Sequence, residues 1–415
     1  MRIVIVNKSD CRGGAAIVSK RLMEAFRAEG IDARMVVAEK LSDSEHVAVA
    51  APGWKLKSAF LAERLQIFIA NGFNRSDLFK VDTANFGVDI LNHPWVKEAD
   101  VVMLNWINQG FISLKEIRKL ANAGKRLIWT MHDLWEMTGI CHHSDGCSLY
   151  QGRCEACHFL SKKGRIENKP DLSSQIQTIK QRLYKDVDIK FVAVSTWLRD
   201  LAKKSTLLKD QDVRVIPNAF NPLKSADRKE SEMRRRRIVM GAARLDDPVK
   251  GLSVMVEATK IFARRWPTLA EAVELITYGD IRDAEKFEGI AISHRHLGRI
   301  SGEKAIAELY SDSDIVLSTS EYETLPGTLI EGQAYGAVPV SLDRGGQRDI
   351  VDNGVTGFLA EYHPDPKVRA ERIAEALHEA LLAVGPDIRR QMRESVKVKF
   401  SAQEIAKAYL QLLKE

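Results

Sequence analysis

The chain has 415 residues, of which 45% are apolar and 28% charged, with a net charge of +6. This length suggests two or three domains, and no uninterrupted run approaches the ~20 apolar residues of a membrane span. Bases and acids are interspersed, so no nucleic-acid partner is expected. The N-terminus begins as a buried strand and lacks a secretory pattern, so we expect a cytoplasmic protein.

Short β-branched runs alternate with helical stretches along most of the chain, which is typical of parallel sheets covered on both faces. The runs predict an α/β fold with two sheets in series. In the first half we expect strands at Arg2–Val6, Ala33–Val37, Val101–Asn105, Arg126–Thr130 and Lys190–Val194. In the second half we expect them at Arg237–Met240, Val273–Thr277, Ile315–Ser318 and Pro339–Leu342.

The boundary between the two sheets is predicted at about residue 218. A short strand at Val213–Ile216 ends in the turn Pro217-Asn218, and the polar run 223–236 that follows cannot build a core. We therefore expect one domain at 1–218 and a second at 219–390. The last segment, 391–415, contains a helical pattern that is expected to pack back on the first domain.

Two segments have two interpretations each. The stretch 54–73 carries nine large apolar residues mixed with cations, and it predicts either a buried helix with a lid or a face that docks on lipid. The basic run 234–237 predicts either a solvated linker edge or contact with an anionic surface. Peripheral contact with the inner membrane face is therefore one expectation.

Candidate ligand-binding residues follow the predicted strands of the first domain. Gly13 and Gly14 lie between the first strand and a helix, where a ligand can approach the backbone and the helix N–H groups closely. This is not the dinucleotide fingerprint, because a third glycine is absent. His132 and Asp133 follow another strand at its carboxyl end, where an imidazole could contact a sugar hydroxyl.

In the second domain, charged residues follow the predicted strands. Arg244 and Lys250 flank the turn after its first strand, where two cations can clamp a diphosphate. Glu323 and Glu331 lie eight positions apart, around the predicted start of a helix. Carboxylates beside a helix N-terminus suit a ligand with hydroxyl groups at both ends and phosphate between them, which describes a nucleotide sugar.

The order of these residues, with Gly345-Gly346 after them, resembles the retaining GT-B glycosyltransferases of family 4. The segment 320–340 is similar to the donor signature of that family. The segments 89–94, 105–108 and 132–139 are similar to transferases that build bacterial capsule, colanic-acid-like exopolysaccharide and O-antigen chains. The resemblance implies two Rossmann-like parallel-sheet domains that face each other across a cleft.

The resemblance also implies an activity. The chain would move a hexose from a UDP- or GDP-sugar to a glycan or lipid-linked glycan in surface polysaccharide biosynthesis, with retention and without a catalytic metal. A nucleotide-sugar 2-epimerase, or a catalytically silent nucleotide-sugar-binding scaffold subunit, are the alternatives.

Roles for individual residues follow from the same resemblance. Glu331 would bind the ribose hydroxyls, Glu323 would face the sugar, and His132 would contact the transferred sugar. Arg244 and Lys250 would stabilise the leaving diphosphate. Backbone groups would hold the donor at Gly13, Gly14, Thr324, Leu325, Gly327, Thr328 and Leu329. Many relatives have glycine where this chain has Thr324, so this residue bears on the choice of donor.

A cysteine cluster occupies residues 141–158. Its thiols, with three histidines nearby, have the ligand inventory of a structural zinc knuckle, although the first spacing is loose for zinc. Free thiols and disulfides are the other interpretations. The ligands of this predicted structural zinc are Cys141, Cys147, Cys154 and Cys157.

Overall fold

The computed structural model describes residues 1–161, 170–223 and 235–415. Most of the predicted linker 223–236, including Arg234 of the basic run, lies outside the described residues. The chain forms two compact units: the first comprises Met1–Ala219 and Ile405–Glu415, and the second comprises Phe220–Glu404. Each unit is built on its own sheet.

Within the described residues, the first unit has a parallel sheet in the order β3-β2-β1-β4-β5-β6-β7. Its strands are β1 (Arg2–Ser9), β2 (Asp32–Glu39), β3 (Val47–Val49), β4 (Val101–Leu104), β5 (Arg126–Met131), β6 (Ile189–Ala193) and β7 (Val213–Val215). Its helices are α1 (Gly14–Ala28), α2 (Gly53–Ala70), α3 (Pro94–Glu98), α4 (Leu114–Asn122), α5 (Leu172–Asp186) and α6 (Thr196–Ala202).

The second unit has a parallel sheet in the order β10-β9-β8-β11-β12-β13. Its strands are β8 (Arg236–Arg244), β9 (Val273–Asp280), β10 (Ser293–His296), β11 (Ile315–Ser318), β12 (Val338–Asp343) and β13 (Phe358–Glu361). Its helices are α7 (Leu252–Arg265), α8 (Pro267–Glu271), α9 (Glu303–Ser311), α10 (Gly327–Tyr335), α11 (Gln347–Ile350), α12 (Pro366–Ala383) and α13 (Pro386–Phe400), and α14 (Ala402–Leu412) follows.

The central strands are apolar on both faces, which is why they form the middle of parallel sheets. All four residues of β4 and of β11 are buried. Several helices begin at a side chain that accepts a hydrogen bond from the first turn, as Ser113 does for α4 and Asp171 for α5. The apolar strands and the capped helices thus fix the positions of the loops at the carboxyl ends of the strands.

The end of the chain is divided between the units. α13 belongs to the second unit, where the N–H of Phe220 donates to the carbonyl of Phe400 over 2.8 Å. Residues from Ile405 onward belong to the first unit, where Tyr409 is hydrogen-bonded to Thr130 over 3.0 Å and its ring packs edge-on against Phe26. No helix in the described ranges is long and apolar enough to cross a membrane.

The two-sheet α/β fold predicted from the sequence is confirmed. The predicted strand Ile315–Ser318 has the observed bounds, and other predicted strands extend further, as β8 does to Arg244. The prediction lacks three strands, β3, β10 and β13, and each is an edge strand of its sheet.

Candidate functional site

In the second unit, two loops meet at the point where the strand order changes direction. β8 and β11 are neighbours in the sheet although they are not consecutive in the chain, and open α/β sheets bind ligands at such a point. The Thr319 hydroxyl donates to the carbonyl of Lys250 over 3.0 Å. The N–H of Glu321 donates to the carbonyl of Val249 over 2.8 Å. These bonds join the loop that carries Lys250 to the loop that carries Glu323.

The structure brings the predicted cations of this unit to carboxylates. Lys250 Nζ lies 2.5 Å from Glu323 Oε1, and about a quarter of each side chain is exposed (25% and 23%). Arg244 lies 3.4 Å from Asp246 and 3.3 Å from Asp247. A phosphate at this point would compete with the carboxylates for two cations that solvent can reach.

A pair of glycines supports the backbone of the Glu323 loop. The N–H of Gly346 donates to the carbonyl of Glu323 over 2.8 Å. A Cβ on Gly346 would overlap the carbonyl oxygen of Thr324, and Gly345 has a φ of 82°. Gly251 plays a similar part on the β8 side, because a Cβ there would overlap the carbonyl oxygen of Thr319. Sequence reasoning did not assign Gly251 to the site, although its position just after Lys250 was a signal.

Helix α10 begins inside the predicted donor segment. Pro326 precedes its first turn, and no side chain caps that turn among the described residues. The free N–H groups of a first turn favour an anion. Glu331 lies in the second turn and is half-buried. Burial raises the pKa of Tyr278, and the Glu331 carboxylate raises it further. The Glu331 carboxylate therefore lies near enough to Tyr278 to influence its titration.

In the first unit, the predicted glycines lie at the start of α1. Gly13 has a φ of 90°, which favours glycine, and both Gly13 and Gly14 are exposed. A Cβ on Gly14 would meet no atom within 4 Å. The protein's own packing therefore does not demand glycine at position 14, and the space above it is open to a ligand.

His132 follows β5 and is half-buried. Its Nε2 lies 2.8 Å from Asn105 Oδ1, at the end of the neighbouring strand β4. An amide oxygen can only accept, so this bond places the proton of the neutral ring on Nε2. Burial lowers the pKa of His132 to about 4. The imidazole is therefore neutral at physiological pH, and Asn105 fixes its orientation.

A buried ionic chain lies beside His132, and sequence reasoning missed it. His142 Nδ1 lies 2.8 Å from Asp133 Oδ2, and its Nε2 lies 2.6 Å from Asp82 Oδ2. Burial disfavours the charge, but Asp133 and Asp82 outweigh it and raise the pKa of His142 to about 10. Trp106 Nε1 also donates to Asp133, over 2.9 Å. His142 is thus an imidazolium held between two carboxylates.

A second buried pair lies close by. Burial raises the pKa of Glu136 to about 8, and the Asp133 charge adds to the shift. Burial lowers the pKa of Lys180 to about 7, although Glu136 opposes this. Lys180 Nζ donates to the carbonyl of Trp135 over 2.5 Å and to that of Thr138 over 3.1 Å. Burial thus shifts the pKa values of both Glu136 and Lys180 toward their neutral forms.

The four clustered cysteines line one small cavity of about 20 Å³. No disulfide joins them in the described structure. Burial raises the pKa of Cys141 to about 12 and that of Cys157 to about 11. Within the described residues, no three His, Cys, Asp or Glu side chains are arranged to hold a metal ion. Zinc binding by this cluster stays a prediction.

The second unit matches a known family. The model of the glycosyl transferases group 1 covers residues 224–399. This part of the chain is therefore similar to a group 1 glycosyltransferase domain. A colanic acid biosynthesis glycosyltransferase, WcaC, of Escherichia coli is 20% identical over 99% of this chain and 98% of its own length. A phosphatidyl-myo-inositol mannosyltransferase of Mycobacterium tuberculosis is 26% identical over 40% of this chain and 44% of its own length.

Solved structures share the fold of this chain. HepE of Anabaena, in complex with UDP, has a TM-score of 0.58 and 16% identity over the whole of both chains. A sucrose-phosphate synthase of Thermosynechococcus elongatus has a TM-score of 0.64 and 18% identity over 100% of this chain and 98% of its own. The predicted GT-B fold class is confirmed by these neighbours.

Proposed function

We propose that the protein is a retaining hexosyltransferase that uses a nucleoside-diphosphate sugar. The observation that carries the proposal is the contact between Lys250 and Glu323, 2.5 Å apart on two loops at the switch point of the second sheet. A cation and a carboxylate that solvent can reach there offer one partner for phosphate and one for sugar hydroxyls.

The donor is proposed to be a UDP- or GDP-sugar. The solved complex of HepE with UDP, from a protein of similar fold, supports a uridine nucleotide as the first candidate. Glu331 would bind the ribose hydroxyls, and Gly14 would bring backbone N–H groups to the diphosphate. The remaining donor contacts would come from backbone groups of Gly13, Thr324, Leu325, Gly327, Thr328 and Leu329.

The proposed reaction needs positive charge where the leaving group departs. As the bond between the anomeric carbon and the phosphate oxygen breaks, Arg244 and Lys250 would stabilise the growing charge on the diphosphate. The acceptor hydroxyl would form the new bond from the same face, and its proton would pass to a phosphate oxygen. Two fixed cations would supply the charge that a metal ion supplies in other transferases.

His132 would contact the transferred sugar. A pKa of about 4, caused by burial, keeps its ring uncharged at neutral pH. A neutral ring suits hydrogen bonding to a sugar hydroxyl, because it does not repel the positive charge that develops on the sugar. The hydrogen bond to Asn105, 2.8 Å long, would keep the ring in one tautomer.

The acceptor is proposed to be a glycan or a lipid-linked glycan of surface polysaccharide biosynthesis. Two relatives support this class, the colanic acid transferase of E. coli and the mannosyltransferase of M. tuberculosis, whose names state a polysaccharide and a phosphatidyl-inositol acceptor.

Thermal unfolding of the chain with nucleosides, nucleoside diphosphates and nucleotide sugars tests the proposal. We expect the midpoint to rise by several degrees with either uridine or guanosine diphosphate and its sugars, and not with the nucleosides, because native-state ligands stabilise by mass action. The donor that responds is then incubated with the protein and followed by NMR. Release of the α-configured sugar from an α-linked donor supports retention; a C2 epimer, or no ligand response at all, overturns the proposal.

A further inference from the structure

The second half of helix α2 turns large apolar side chains to its exposed face. Glu63 and Arg64 are 0% and 8% exposed there, whereas Leu61, Leu65 and Ile69 are 53%, 57% and 52% exposed. A surface helix normally turns its apolar stripe to the core and its charges to water. The outward face of this half of α2 therefore lacks the charges that a water-facing helix surface carries.

An ionic cluster fixes this orientation. Glu63 Oε1 accepts hydrogen bonds from the N–H groups of Thr83 and Ala84 over 3.0 and 2.6 Å. Arg64 is bonded to Asp82 and, over 3.2 Å, to Glu63. Breaking a buried pair of this kind is costly, because one charge is left without a partner. The helix cannot rotate to bury its outer face.

The apolar face extends beyond the helix. Phe73 packs edge-on against Phe68 with ring centroids 5.5 Å apart, and Phe79 stacks on Phe60 at 6.5 Å. Phe73 and Phe79 are nevertheless 69% and 63% exposed. We call the exposed set the α2 surface; its members are Trp54, Leu61, Leu65, Ile69, Phe73 and Phe79.

Cations surround the α2 surface. Lys55, Lys57, Arg75 and Lys80 are exposed between residues 53 and 80. The acids in that range are Glu63, which is buried, and Asp77, which already pairs with Lys80 over 3.1 Å. Apolar side chains flanked by lysine and arginine, with an aromatic residue at one end, match the boundary between anionic headgroups and acyl chains.

We propose that the α2 surface docks on an anionic lipid bilayer, with α2 lying in the plane of the interface. Lipid suits it better than a second copy of the chain, which would bring the same cations against one another. The inference goes beyond the proposed transfer reaction and does not depend on it, because it concerns where the chain binds and not what it transfers.

Vesicle flotation of the full chain tests the proposal without any activity readout. The chain is expected to float with vesicles of phosphatidylcholine and phosphatidylglycerol, and to float less with phosphatidylcholine alone or at high salt. Leu65→Gln combined with Ile69→Gln should lower binding by at least about tenfold, because two apolar side chains that would enter the bilayer are lost. Lys55→Gln combined with Lys57→Gln should lower it on the order of tenfold on anionic vesicles only.

The matched control is Leu382→Gln combined with Val398→Gln, in the second unit, where the native side chains are 70% and 75% exposed. These changes remove similar apolar area and should leave flotation unchanged. The proposal is overturned if the chain fails to float with anionic vesicles, or if both double variants lose binding equally. It is also overturned if sedimentation shows a dimer that Leu65→Gln with Ile69→Gln dissociates, since a second copy would then cover the surface.

Discussion

The two units hold their charges in different ways. In the second unit, Lys250 and Glu323 meet where about a quarter of each side chain is exposed. In the first unit, His142 lies between Asp82 and Asp133, and the three side chains are 9%, 0% and 11% exposed. A pair that solvent partly reaches contributes less to stability and can exchange partners, whereas a fully buried pair is costly to break. The second unit is therefore suited to ligand exchange, and the chain of charges in the first unit to rigidity.

Because of this contrast, we expect a substitution to change either the free energy of unfolding or the affinity for the donor. Substitutions in the buried chain should change the free energy of unfolding and leave donor binding nearly intact. Substitutions at the Lys250–Glu323 pair and at Glu331 should change donor binding and leave the free energy of unfolding nearly intact. A substitution that changed both to the same extent would break the comparison.

The largest expected effect is that of His142→Gln. It removes the imidazolium between two buried carboxylates and should lower the free energy of unfolding by about 3–5 kcal/mol at pH 7. The pKa of His142 is about 10 in the fold and about 6.5 in the unfolded chain, so this stabilisation is complete below pH ~6.5 and is lost as the pH rises toward ~10. Denaturant unfolding of the parent and of His142→Gln across this pH range measures the difference between their free energies of unfolding.

The neighbouring His143→Gln is the control, because His143 is exposed. It should change the free energy of unfolding by less than about 0.5 kcal/mol. If the difference in free energy of unfolding between the parent and His142→Gln stayed constant from pH 6.5 to 10, the ring of His142 would be uncharged in the fold.

His132→Ala should lower kcat on the order of a hundredfold and change the KM for the donor little, if the ring acts on the reacting sugar. Because burial holds the pKa of His132 near 4, the acid limb of kcat should lie near pH 4. Asn105→Asp places a carboxylate 2.8 Å from the ring in place of the amide, and should move that limb upward. An unchanged kcat in His132→Ala would remove His132 from the mechanism.

Glu331→Gln should weaken donor binding by roughly tenfold or more, since a hydrogen bond to a charged group contributes about 1.5–3 kcal/mol. The unfolding midpoint should stay close to that of the parent. The exposed Glu308→Gln on α9 is the matched control and should leave the donor Kd unchanged. Equal weakening in the two variants would point to a general charge effect.

The smallest expected effect concerns Thr324→Gly. Removing this side chain widens the space beside Glu323, and should alter the ratio of kcat/KM between two donor sugars by less than about tenfold. Competition between two nucleotide sugars in one reaction measures the ratio directly. A ratio identical to that of the parent would show that Thr324 does not face the sugar.

The fold was largely predictable because each central strand is marked by its own short apolar run in the sequence. Ile315–Ser318 is an apolar run between turns, and the sequence defines its bounds. The three strands absent from the prediction lie at sheet edges, and β10 consists of Ser293-His294-Arg295-His296, which has no apolar residue. Edge strands are paired on one side only and need no continuous apolar run. Their bounds therefore depend on pairing with a neighbouring strand, which is a tertiary property.

The candidate site was predictable where it is built from short segments. Glu323, Glu331 and the loop between them are close in the chain, and the spacing alone places them at a helix start. The buried chain joins residues 82, 133 and 142, which no local spacing connects. The sequence placed His142 among the cysteines as a histidine near a zinc site, whereas its neighbours in space are carboxylates.

Calorimetric titration of nucleoside diphosphate into Lys250→Gln tests the central claim most directly. The parent chain should bind UDP or GDP, and Lys250→Gln should weaken that binding by about tenfold or more with little change in the unfolding midpoint. The exposed Lys260→Gln, which removes a lysine paired with Glu257 over 3.2 Å, should bind as the parent does. Equal affinity in all three proteins, or no binding by the parent, would contradict the assignment of the donor site to the Lys250 and Glu323 loops.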